Sequence, residues 1–106
     1  MRAVIVLAAL AAPLLYALPA HADSIDGAWC LTKVGRMEID GPAILTPGGN
    51  RLTGDYSRHA FHYVVPAGEP GAGSEVQMLL MGEEAVQVQV GEQPPVVWRR
   101  CGPAVS

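Results

Sequence analysis

The chain has 106 residues, half of them hydrophobic, with seven basic and ten acidic residues and a net charge of −3 at pH 7. This length holds one domain, near the size at which a hydrophobic core alone gives marginal stability. The acidic balance excludes a basic nucleic-acid footprint, and no Lys/Arg-rich amphipathic segment is present to bind a membrane surface.

The first residues read as a targeting segment. Arg2 provides a positive n-region, Val4–Leu18 is an uncharged apolar run, and Ala20-His21-Ala22 is a small-x-small cleavage site ahead of Asp23. The run is short for a membrane span and is interrupted by Pro13 and Pro19. Residues 1–22 are therefore expected to be a signal peptide. Residues 23–106 are expected to form a single domain, periplasmic or secreted, with no membrane anchor after cleavage.

The chain carries two cysteines, Cys30 and Cys101. In an exported chain their pairing is the expected reading, and only one pairing exists. It closes a loop of about seventy residues, for which loop-closure entropy predicts roughly 4 kcal/mol of stabilisation. A metal or redox pair is the weaker alternative, because no C-x-x-C and no nearby Cys or His partner is present.

From Gly27 onward the pattern is one of short strands and turn chemistry. Gly27–Thr32 is the first predicted strand, with Trp29 and Leu31 on one face. In the next, Arg36–Ile39, Met37 and Ile39 face inward. Asp40-Gly41 is a hairpin signal leading into Ala43–Thr46, with Pro42 at the strand's start. Pro47-Gly48-Gly49-Asn50 is a turn. Leu52–Tyr56 then reads as one strand in which Gly54 signals a bulge or a close backbone approach.

His59–Val65 is the most β-prone run, with Phe61, Tyr63 and Val65 on one face. Pro66–Ser74 has loop composition and is expected to be mobile. Glu75–Met81 and Ala85–Val90 form a second hairpin around Gly82-Glu83-Glu84. Val86, Val88 and Val90 alternate there with Gln87 and Gln89, as in a strand with one wet face. Val96–Cys101 is the last strand. About eight short strands at regular spacing, with hairpin-length links and no amphipathic helix, predict an all-β fold. A small antiparallel up-and-down barrel is the leading architecture, since a disulfide from first strand to last sets the ends side by side. A two-sheet sandwich is the alternative.

Gly27-Ala28-Trp29 on the first strand, with Arg99 and Arg100 on the last, resembles the calycin pattern. In such lipocalin-like barrels a G-x-W tryptophan packs under an arginine from the last strand. The resemblance implies a barrel plug made by Trp29, Arg99 and Arg100, with the guanidinium stacked on the indole and reaching backbone carbonyls. In size, compartment and disulfide the chain also looks like small exported bacterial inhibitors of lysozymes or proteases.

Candidate chemistry is concentrated between Thr46 and Pro66. Asp55, Ser57 and His59, two apart along one strand face, would stand side by side, whereas a catalytic triad must converge on one atom. The G-x-S-x-G elbow is missing too, so a hydrolase is disfavoured and no catalytic residue is expected. His59 and His62 are three apart, as are Met78 and Met81, and imidazole with thioether suits copper. Residues three apart in a strand face opposite ways, so copper or zinc binding through His59 and His62 is only the second reading. The leading expectation is a non-enzymatic exported barrel without a cofactor, binding an unidentified protein or small apolar ligand. Its expected surface comprises Tyr56, Arg58, His59, His62 and Tyr63 together with the Pro66–Ser74 loop.

Overall fold

The computed structural model describes residues 24–102. The leader expected over 1–22 lies outside the described residues. The domain expected over 23–106 is described except at its first residue and its last four. Nine strands follow one another: β1 Gly27–Leu31, β2 Gly35–Asp40, β3 Ala43–Leu45, β4 Arg51–Thr53, β5 Asp55–Ser57, β6 Ala60–Val64, β7 Glu75–Leu80, β8 Ala85–Val90 and β9 Val96–Arg100. They form one antiparallel sheet in the order β4-β3-β2-β1-β9-β8-β7-β6-β5. Every hairpin link joins neighbours, and the first strand pairs with the last through Trp29↔Arg100 and Cys30↔Arg99. The result is an up-and-down sheet nearly closed into a barrel.

Its two edge strands, β4 and β5, are consecutive in the chain and separated by Gly54 alone. The segment expected as a single strand is divided at this glycine. β4 pairs with β3 (Ala43↔Thr53), while β5 pairs with β6 (Asp55↔His62). The Gly54 N–H donates to the Pro42 carbonyl at 2.9 Å, on the β3 side. On the β6 side a Cβ at Gly54 would lie 2.5 Å from both the His62 carbonyl and the Phe61 ring. Only a residue without a side chain lets the chain pass from one edge to the other here. The ninth strand is thus a division of an expected one.

Alternation along the strands fills the interior. Trp29, Met37, Ile39, Ile44, Phe61, Tyr63, Val76, Met78, Val86, Val88 and Trp98 are all buried in one cluster. Phe61 contacts Tyr56 and Tyr63 edge-on, with ring centroids 6.5 and 6.3 Å apart. Two local expectations shift. The two-residue turn between Asp40 and Ala43 is Gly41-Pro42, with Gly41 at φ 57°, so Pro42 precedes β3 rather than opening it. The Pro66–Ser74 segment, expected as a mobile loop, is a run of hydrogen-bonded turns: Val65 N–H to Ser74, Gly73 N–H to Val65, Glu69 N–H to Pro66 and Ala72 N–H to Glu69.

Cys30 and Cys101 form a disulfide with Cα atoms 5.0 Å apart and a sequence separation of 71. It staples β1 to the end of β9, beside the Cys101 N–H bond to the Ala28 carbonyl (3.1 Å). Among the described residues no helix is long and apolar enough to cross a membrane.

Candidate functional site: an apolar mouth on a sealed barrel

Consecutive links of an up-and-down barrel alternate between its two ends. One end is sealed. Residues Ser24, Ile25 and Asp26 cross beneath the strands, and Ile25 and Trp29 are fully buried. The Ile25 N–H donates to the Arg58 carbonyl (2.8 Å), and the Trp29 indole N–H donates to the Ile25 carbonyl (2.9 Å). The Asp26 carboxylate accepts from the Gly41 N–H (2.6 Å), the Ser24 hydroxyl and the Tyr56 hydroxyl. That bond raises the Tyr56 pKa, since ionising the phenol would give up its donor.

Arg100 completes the seal. Its guanidinium lies 4.1 Å from the centre of the Trp29 ring and donates to the carbonyls of Ser24, Asp26 and Glu83. Partial burial lowers its pKa, while Glu84, Asp26 and Glu83 oppose that shift. Gly27 makes room for this arrangement. It holds φ 120°, and a Cβ there would sit 2.6 Å from the Arg100 Nη1. Arg99, which the resemblance placed in the same plug, is exposed; Trp29 and Arg100 form it without that residue.

The other end is open. A cavity of about 220 Å³ enters there between the ends of β1, β2, β7, β8 and β9. Leu31, Met37, Val76, Val88, Val90 and Trp98 line its walls, and Tyr63 joins them from β6. Val34 and Val96 stand at the rim, 56% and 46% exposed, beside Pro47, Gln93 and Pro94. Among the described residues, no side chain lining the cavity carries a charge. Larger depressions on the outer wall are more polar: one of about 450 Å³ over β1–β4 is bordered by Arg36, Glu38, Asp40 and Arg51. Of these depressions the mouth has the most apolar lining, the character that small-molecule pockets share.

A latch flanks the mouth across the barrel seam. Glu69, from the β6–β7 turns, accepts hydrogen bonds from the buried Thr46 hydroxyl and, at 2.7 Å, from the Asn50 side-chain amide. The Thr46 oxygen in turn accepts from the Asn50 N–H (3.1 Å). Strands β3 and β6, which do not pair directly, are thereby tied at their upper ends. Burial and the Glu69 charge together push the Tyr63 hydroxyl up to about 12.

The five residues expected to share a binding surface are dispersed. Tyr56 belongs to the sealed end, and Arg58 and His59 lie in the turn beside it. Tyr63 is buried and faces the cavity. His62 stands on the outer wall, its Nδ1 3.4 Å from Asp55 and its Nε2 3.3 Å from Glu75. The Pro66–Ser74 segment is at the open end, whereas the Ser57–Ala60 link is at the sealed one. They adjoin opposite ends of β6 and cannot form one surface. Asp55 stands across from His62, while His59 sits in the turn beyond Ser57, so Asp55, Ser57 and His59 do not converge. His59 and His62 share no site. Among the described residues no three His, Cys, Asp or Glu side chains gather around a metal-sized position.

The mouth itself went unrecognised in the sequence, because its walls come from five strand ends far apart in the chain. One signal was available: in a meander, the β1–β2, β3–β4, β6–β7 and β8–β9 links must share an end. No family model, curated protein or solved structure matches this chain.

Proposed function

We propose that the protein is a non-enzymatic exported binding module that takes a small apolar ligand into the mouth of its barrel. The observation that carries this reading is the uncharged cavity of about 220 Å³ at the open end of a barrel whose other end is sealed. A sealed floor lets an apolar ligand be surrounded without creating a channel, and burial of its surface supplies the affinity. The volume corresponds to about seven waters at roughly 30 Å³ each, which fits a single ring or a short branched chain. Exposed Val34 and Val96 extend the apolar surface beyond the cavity, as would suit a ligand longer than the cavity is deep. The leader expected over 1–22 supports export, and the disulfide suits an oxidising compartment.

Toluene titration into the disulfide-bonded domain, followed by NMR, tests the reading. The expected result is saturable shifting of the Val76 and Val88 methyls, with the Val76 shift abolished by Val88→Phe, which fills the cavity. Shifts that grow linearly without saturation, or that survive Val88→Phe unchanged, would overturn it.

A further inference from the structure

The cavity wall carries a buried hydroxyl that the fold leaves unmatched. Tyr63 is 5% exposed and lines the mouth, yet its hydroxyl has no hydrogen-bond partner among the described residues. Buried tyrosines ordinarily find a partner for the O–H, and an unmade bond in an apolar setting is costly enough to require an explanation. The one side-chain acceptor oxygen among the described lining residues, that of Gln93 at the rim, is not bonded to it. The neighbouring residues Leu31, Met37, Val76, Val88 and Trp98 offer no side-chain acceptor oxygen.

On the reading of the cavity as a binding site, we infer that Tyr63 is its polar anchor, donating its O–H to an acceptor oxygen on a neutral apolar ligand. Charge selects the class. No cation lines the cavity, and the nearest charge that acts on Tyr63 is the Glu69 carboxylate. An anionic ligand would be repelled by Glu69 and desolvated without compensation. A ketone, ester or ether oxygen meets neither penalty. A pure hydrocarbon of the same shape fills the cavity but leaves the hydroxyl unsatisfied, as happens whenever a site built for a polar group receives an analogue lacking it.

Three probes of nearly equal shape separate these cases: acetophenone, α-methylstyrene (CH₂ replacing the carbonyl oxygen) and benzoate (an anionic oxygen replacing the methyl). Their dissociation constants are measured by NMR on the wild-type protein and on Tyr63→Phe, which removes only the unpartnered hydroxyl. The ratio of acetophenone to α-methylstyrene affinity is expected to fall about tenfold in Tyr63→Phe, with benzoate the weakest ligand of wild type. A second readout needs no variant: the carbonyl stretch of acetophenone bound to wild type is expected at lower frequency than in hydrocarbon solvent. An unchanged affinity ratio, an unshifted stretch, or benzoate binding as tightly as acetophenone overturns the anchor while leaving the cavity a binding site. Failure of all three probes to bind saturably overturns both.

Discussion

The Arg100 guanidinium lies 4.1 Å from the centre of the Trp29 indole ring, in space that exists because Gly27 has no side chain. The stack and its three carbonyl bonds hold the N-terminal crossing and the β7–β8 turn against the barrel's end. Arg100→Ala leaves those carbonyls without their charged donor and uncovers the indole. We expect a loss of about 2–4 kcal/mol by urea denaturation. Arg100→Lys, a point charge without the planar fork, should recover less than half of that. Arg99→Ala, on the outer face, should stay within about 0.5 kcal/mol of wild type.

Gly27 and Arg100 should be coupled. Gly27→Ala forces a Cβ against the guanidinium at a φ that L-residues rarely adopt, and we expect it to cost about 1–3 kcal/mol. In the Arg100→Ala background the steric part of that cost disappears and only the backbone part remains. A double-mutant cycle should therefore depart from additivity by about 0.5 kcal/mol or more.

At the seam, Gly54→Ala should be among the most damaging single changes in the wall. Its Cβ meets the His62 carbonyl and the Phe61 ring at 2.5 Å, so β5 must leave β6 or β4 must leave β3. Hydrogen exchange should show loss of protection at the amide of residue 54, which bonds the Pro42 carbonyl, and at that of His62, which faces Asp55 across the β5–β6 pair. Gly102→Ala, with open space around its Cβ position and no positive φ, should show no such loss.

Alkaline pH should unfold the protein through Tyr63. A phenol held near 12 when folded and near 10 when unfolded contributes stability that is present in full below pH 10. That contribution, reduced by solvent screening of the partly buried hydroxyl to about 1–2 kcal/mol, is lost as pH rises from 10 to 12. Denaturation midpoints measured across this range should fall for wild type. Tyr63→Phe should flatten the slope, leaving the smaller part due to Tyr56.

Reduction of Cys30–Cys101 releases a crosslink between residues 71 apart, which loop-closure entropy sets at roughly 4 kcal/mol. We expect Cys30→Ala/Cys101→Ala to lower the melting temperature substantially, with the same fall in wild type treated with dithiothreitol. A fall in wild type alone would assign the effect to something other than the crosslink.

The strands, their inward faces and the pairing of first with last were legible in the sequence because each rests on local information. Alternation at Phe61, Tyr63, Val86 and Val88, turn residues such as Gly41, and a single cysteine pair suffice for that. The site was not legible in the same way. Tyr56, His59, His62 and Tyr63 are close in sequence, but strand parity turns His62 outward and Tyr63 inward, and one link sends Tyr56 and His59 to the sealed end. Proximity along a strand is not proximity in space. Conversely, Leu31, Val76, Val90 and Val96 meet only because the sheet closes, a fact carried by no local motif. Gly54 shows the intermediate case: its lack of a side chain was a visible signal of close approach, but what approached could be named only from the closed wall.

That seam has a consequence for the behaviour of the molecule among its copies. An open sheet of this size would present two full-length edges of unpaired backbone, each a template on which another chain could add a strand. Here a single kinked segment supplies both edges, and β4 and β5 are only three residues long apiece. Each edge is followed within a few residues by its own covalent continuation on the other side. The barrel thus offers little footing for edge-to-edge association, and it gains this protection from one glycine.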